Sequence, residues 1–124
     1  MAMTPHVLIV AGSDSSGGAG IARDIETVSA FGLRSCLAVT AVTAQTHATV
    51  EHIEQMPPQL IAAQMRAAFA ANPVAAVKIG MLGTAAATDR DQHVASKRPG
   101  AVVIVKKKLA RLRLLPVSRH ATRN

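Results

Sequence analysis

The chain has 124 residues, 49% of them apolar and 17% charged, with no Trp or Tyr, two Phe and one Cys. That apolar share can bury enough surface to offset the entropy of ordering, so the composition excludes a disordered chain and suits one domain. Two aromatics exclude a stacking platform for single-stranded nucleic acid, and Cys36 alone excludes a disulfide framework or a multi-cysteine zinc site, which makes a reducing compartment the expectation. The net charge of +7 is local: residues 1–100 balance seven basic against seven acidic side chains, whereas residues 101–124 carry seven basic ones and no acid. The basic excess therefore belongs to the C-terminal segment and implies no nucleic-acid partner for the body.

The apolar stretch Val7 to Ala11 is too short for a signal-peptide core and follows no cationic residue, and no run reaches the ~18 apolar residues of a membrane span. A cytoplasmic chain with no membrane partner is expected. Val7 to Ala11 instead reads as a strand buried on both faces, ending at Gly12. Gly12 to Gly20 is a loop of small residues. Ile21, Ile25, Val28 and Ala30 then fall near helical spacing, with Gly32 as the C-terminal cap.

Leu37 to Thr43 is β-branched enough for a second buried strand, and Gln45 to Gln55 reads as a polar crossing. Pro57-Pro58 suits a helix start, because the missing N–H is not needed there. In the helix that follows, Ile61, Met65, Ala68 and Phe69 share one face while Gln59, Arg66 and Asn72 face water. Val74 to Leu82 is a third strand, Ala85 to Lys97 a polar helix, and Ala101 to Val105 a fourth strand. Such alternation predicts an α/β fold: a mostly parallel sheet flanked by helices through right-handed crossovers. Ligands then bind beyond the carboxyl ends of the strands, at the loops after Ala11, Thr43 and Leu82.

The loop from Gly12 to Gly20 leaves a strand and opens a helix, which aims backbone N–H groups at whatever lies in front of it. It has neither the Lys-Ser/Thr end of a phosphate-binding P-loop nor the Gly-x-Gly-x-x-Gly spacing of a dinucleotide site, so a functional loop competes with a plain tight turn. Asp24, one turn into that helix, either complements the positive helix end or accepts a hydrogen bond from a ligand hydroxyl or amine. Gln45 is either a surface loop residue or a planar donor and acceptor that pairs with the amino group and ring nitrogen of an aminopyrimidine. Lys78 lies inside a buried strand, where a carboxylate partner is expected, and Met81 is either core or a pocket wall. The five His show no metal-ligand spacing, and Cys36 reads as a buried small hydrophobe.

Three segments taken together, Val10 to Ile21 (VAGSDSSGGAGI), Thr40 to Gln45 (TAVTAQ) and Val77 to Gly83 (VKIGMLG), resemble the hydroxymethylpyrimidine/phosphomethylpyrimidine kinases of thiamine biosynthesis. The resemblance runs from about residue 7 to residue 105. It implies a ribokinase-like three-layer fold and a kinase that uses ATP and magnesium to phosphorylate 4-amino-5-hydroxymethyl-2-methylpyrimidine and then its monophosphate. It also implies that Asp24, Gln45 and Met81 contact the pyrimidine and that Gly12, Gly17 and Gly18 supply backbone that closes over it.

Three departures stand out. Arg23 replaces a small residue, and Thr46-His47 stands where asparagine commonly follows the glutamine. After Val105 the family's Asp-Pro-Val segment is replaced by Lys106-Lys107-Lys108. Residues 106–124 are therefore expected to be a non-homologous, disordered basic extension, with residues 1–105 as the N-terminal part of the kinase domain. The nucleotide pocket, the anion hole and the catalytic residue are expected to lie outside this chain, leaving it impaired on its own, with no catalytic or metal-binding residue assigned. A non-catalytic pyrimidine-binding module is the alternative. Association through an exposed sheet edge is expected, as is only non-specific, salt-sensitive nucleic-acid binding by the basic segment.

Overall fold

A computed structural model describes residues 3–80, 102–106 and 112–114. Its elements in chain order are strand β1 (His6–Ser13), helix α1 (Gly20–Ala30), strands β2 (Arg34–Gln45) and β3 (Val50–Gln55), helix α2 (Pro58–Ala71), and strands β4 (Val74–Ile79), β5 (Val102–Lys106) and β6 (Leu112–Leu114). They form one six-stranded sheet in the order β3-β2-β1-β4-β5-β6. The four inner strands run parallel, while β3 and β6 pair antiparallel at the two edges.

The central strand β1 carries the expected two-faced burial. Leu8 and Val10 point to one side and pack with Ala38, Val77, Ile79 and the Ile61, Met65 and Ala68 stripe of α2. Ile9 and Ala11 point to the other and pack with Ile21 and Val28 of α1. The period of two along β1 thus divides the core into two layers, one under each helix. This is the predicted mostly parallel sheet flanked by helices.

The helix ends follow from backbone chemistry. At α2, the Pro57 carbonyl accepts from the N–H groups of Leu60 and Ile61. At the end of α1, Gly32 takes a positive φ of 72°, and Leu33 N–H reaches back to the Val28 carbonyl, closing the last turn. Ile25, expected on the inner face, is instead 37% exposed, and the inward position between Ile21 and Val28 belongs to Asp24.

Other expectations shift. The polar crossing after Gln45 contains β3, which pairs with Ala41–Gln45 while all six of its residues remain exposed. With neither face buried, no hydrophobic alternation marks the strand, and its ladder bonds to β2 define it. β2 extends past the predicted Leu37 to Thr43 at both ends, and its Val39 peptide groups are taken by the Gln64 side chain of α2, which accepts at 2.9 Å and donates at 3.0 Å. β4 ends at Ile79, and the fourth predicted strand appears as β5, shifted one residue. The predicted helix Ala85 to Lys97 lies outside the described residues. β6 forms within the basic segment and pairs with β5 at the edge expected to be open. Among the described residues, no helix is long and apolar enough to cross a membrane.

Candidate functional site at the carboxyl edge of the sheet

α1 follows β1 on one face of the sheet and α2 precedes β4 on the other, so the chain turns in opposite senses beside β1. This makes the carboxyl edge between β1 and β4 the switch point where open α/β sheets bind ligands. The glycine loop leaves β1 there, after a register shift between Ala11 and Ser13. A Cβ at Gly12 would make only ordinary contacts, the nearest 3.7 Å from the Ala41 carbonyl, so packing alone does not demand glycine there. Gly20 is different. It opens α1 with φ 68°, and a Cβ on it would sit far inside contact with the Gly12 carbonyl oxygen.

Between these two glycines the loop closes on itself. Asp14 Oδ1 accepts from the Ser16 N–H at 2.8 Å and from the Ser16 hydroxyl at 2.7 Å, and Gly17 N–H donates to the Asp14 carbonyl. The Ser16 oxygen in turn accepts from Gly18 N–H at 3.3 Å. The Ser16 hydroxyl bond leads the causes that hold the Asp14 carboxyl below its ordinary range, with the Ser16 and Ala19 N–H groups and His47 adding to it against some desolvation. The expectation that the loop aims unpaired N–H groups outward is therefore corrected. Those of Ser16, Gly17 and Gly18 are already used, around a carboxylate that would repel an anion.

A second set of bonds ties this loop to the end of β2. The Ser15 hydroxyl donates to the Gln45 carbonyl at 2.9 Å and accepts from the Gln45 N–H at 2.7 Å. Thr43 Oγ1 donates to the Ser13 carbonyl at 2.8 Å, and Gln45 Nε2 donates to Thr43 Oγ1 at 2.9 Å. Gln45 is thereby held at both its backbone and its side chain. Beyond it, Thr46 Oγ1 accepts from Ala48 and Thr49 N–H in a turn that carries His47 over the loop. A Cβ on Gly18 would come within 3.0 Å of His47 Nδ1, so glycine at 18 lets the imidazole approach the backbone.

Across the switch point, Lys78 Nζ of β4 pairs with Asp24 Oδ1 of α1, with side-chain exposures of 32% and 15%. The carboxylate expected to hold Lys78 is thus Asp24. The pair sits on the α1 side of the sheet, since Lys78 lies beside Ile9 in the ladder. Gly80 then brings the end of β4 close to β1: its N–H donates to the Val10 carbonyl at 2.7 Å, and a Cβ would meet that of Ala11 at 3.2 Å.

The structure thus brings Gly12, Gly17, Gly18, Asp24 and Gln45 to one edge, whereas Met81 lies outside the described residues. Sequence reasoning assigns no role to Ser15, Thr43 or His47 here. Ser15 and Thr43 carry hydroxyls in segments already singled out, but their partners are 30 residues away along the chain. Among the described residues, no group of three or more His, Cys, Asp or Glu side chains could hold a metal ion.

The sequence profile of the phosphomethylpyrimidine kinase family matches residues 14–106, well over half of the chain. The chain belongs to the phosphomethylpyrimidine kinase family. Among curated members, the hydroxymethylpyrimidine/phosphomethylpyrimidine kinase of Mycobacterium bovis is 45% identical over 80 residues, which is 64% of this chain and 29% of that protein. The phosphomethylpyrimidine kinase of Clostridium difficile superposes with a TM-score of 0.74 at 37% identity, covering 82% of this chain and 46% of the other. The pyridoxal kinase of Staphylococcus aureus, solved in complex with AMP-PCP and pyridoxal, superposes with a TM-score of 0.74 at 28% identity, covering 85% of this chain and 39% of the other. The chain thus spans well under two thirds of the length of these phosphomethylpyrimidine kinases. The glycine loop from Asp14 onward, Asp24 and Gln45 fall inside the matched residues 14–106.

Proposed function

We propose that this chain forms the pyrimidine-binding part of a kinase that transfers a phosphoryl group from ATP to the hydroxymethyl group of 4-amino-5-hydroxymethyl-2-methylpyrimidine, and then to its monophosphate. The observation that carries the reading is the convergence of the glycine loop, Gln45 and Asp24 on one switch-point edge in a phosphomethylpyrimidine kinase family member. In it, the Gln45 amide reads the ring, Asp24 accepts from a ligand donor while Lys78 balances its charge, and the Gly12, Gly17 and Gly18 backbone lies against the substrate.

The self-bonded loop fits a neutral ring better than a phosphate, because Asp14 adds negative charge where an anion would sit. ATP as donor is supported by the related pyridoxal kinase with AMP-PCP bound. Magnesium is commonly held by one or two carboxylates together with substrate phosphates and waters, and no residue of this chain is assigned to it.

Calorimetry with the purified chain tests the reading. The aminopyrimidine should bind saturably, and Gln45→Ala should weaken it several-fold to tenfold, since one or two neutral hydrogen bonds are worth about 1 kcal/mol each. Equal affinity of the two proteins would remove Gln45 from the site. An ADP-release assay with an Asp24→Ala control tests whether the chain acts alone: release that vanishes in the control indicates phosphoryl transfer by the chain itself. Binding without release fits both a kinase part that lacks its catalytic half and a non-catalytic binding module, which a cellular phenotype then divides.

A further inference from the structure

The chain of hydrogen bonds running Gln45 Nε2 to Thr43 Oγ1 to the Ser13 carbonyl has only one consistent arrangement of protons. A carbonyl oxygen has no proton to give, so the single hydroxyl proton of Thr43 goes to Ser13. Thr43 Oγ1 is then an acceptor only. The Gln45 side-chain atom 2.9 Å from it must be the nitrogen, because an amide oxygen there would set two acceptors against each other. The backbone of Gln45 is fixed at the same time by the two-way bond with Ser15, so the amide cannot turn over by moving the strand end. Among the described residues, Gln45 Oε1 and the second N–H of Nε2 have no partner and remain for a ligand.

We propose that Thr43 is a specificity-determining positioning residue: it locks which way round the Gln45 amide is presented, and so selects a ring with an amino donor beside a ring-nitrogen acceptor over the oxo form of the same ring. The inference rests on the reading of Gln45 as the group that contacts the pyrimidine. An aminopyrimidine gives a proton to Oε1 and receives one from Nε2. The 4-oxo ring offers a carbonyl beside an N–H, the reverse order, which only a turned amide could satisfy. With the amide free to turn, either ring would be served. With it locked, the wrong ring meets two unmatched contacts, which amounts to about a hundredfold loss of affinity.

The test compares 4-amino-5-hydroxymethyl-2-methylpyrimidine with 5-hydroxymethyl-2-methylpyrimidin-4-one by calorimetry on the full chain and on Thr43→Val, Thr43→Ser and Gln45→Ala. The unaltered chain should prefer the amino ring by about a hundredfold. Thr43→Val should reduce the preference below about tenfold, mainly through tighter binding of the oxo ring, and Thr43→Ser should restore it. Should Thr43→Val fail to fold, a ligand-free measurement decides: in the unaltered chain the Gln45 side-chain amide should exchange its protons more slowly than those of exposed Gln55 and Gln59.

An unchanged preference in Thr43→Val, or a Gln45 amide that exchanges as fast as Gln55 and Gln59, overturns the proposal. If in addition Gln45→Ala weakens the amino ring, the Gln45 reading survives and Thr43 alone loses its role. If Gln45→Ala binds both rings as the unaltered chain does, or the unaltered chain binds neither, the Gln45 reading fails and takes this inference with it.

Discussion

Replacing Gly20 with Ala should be the most damaging single-methyl change in the glycine loop, and the reason can be worked out from two separable costs. The first is conformational. At φ 68° an L-residue crowds its own backbone, at a cost of about 1.5 kcal/mol, less about 0.7 kcal/mol returned because alanine restricts the unfolded chain. Gly17, with φ 76° and nothing within 4 Å of where an added methyl would sit, carries that cost alone, so Gly17→Ala should lose about 1 kcal/mol. The second cost falls only on Gly20, whose Cβ would overlap the Gly12 carbonyl oxygen. That atom belongs to the backbone leaving β1 and cannot swing aside, so relief requires separating Gly12 from the start of α1, for about 2 kcal/mol more. Gly20→Ala should therefore lose about 3 kcal/mol, a large share of the roughly 5–15 kcal/mol that holds a domain together. With no Trp or Tyr to report unfolding by fluorescence, far-UV circular dichroism in urea is the assay. For a slope of about 1.5 kcal/mol/M, the midpoints should fall by roughly 0.7 M for Gly17→Ala and 2 M for Gly20→Ala. If the two midpoints agree to within about 0.3 M, the steric argument is wrong.

Two further perturbations test the surroundings of the loop. Lys78→Met strands the Asp24 carboxylate at 15% exposure and should cost about 2 kcal/mol, whereas adding Asp24→Asn should recover about half; additive losses in the double-mutant cycle would show the ion pair contributes nothing. Burial pushes the Cys36 thiol above its ordinary value of 9.0, so the proton is held more tightly in the folded chain. The sign follows: this contribution to stability is fully present below that value and is lost as the pH rises above it, because the unfolded thiol ionises first. Cys36 is partly rather than fully buried, and iodoacetamide at neutral pH should accordingly label it several-fold more slowly in the native chain than in urea; equal rates would refute its partial burial.

Much of this architecture was legible in the chain itself, and particular residues explain why. Val7 to Ala11 is apolar at every position, which only a strand covered on both faces can use, and the structure buries alternate members of it under α1 and α2. Ile61, Met65 and Ala68 repeat at helical spacing and all three are buried. The three motif segments also carried the family, because loop, turn and strand keep their order along the chain. Those signals are local or periodic, so one-dimensional reading suffices for them.

Tertiary structure decided what depends on partners distant in the chain. β3 exists through hydrogen bonds to β2, with no buried face to mark it. Ile25 gave way to Asp24 on the inner side of α1 because Lys78, 54 residues later, arrives there from β4. The loop N–H groups, which a strand-to-helix turn would leave open, are consumed by Asp14 and Ser16. The orientation of Gln45 is set by Thr43 and Ser13, whose meeting follows from β1 and β2 lying side by side. A side chain's periodicity determines which layer it joins, but hydrogen bonds and ion pairs act over a few ångströms, and only the folded chain brings their two ends within that range.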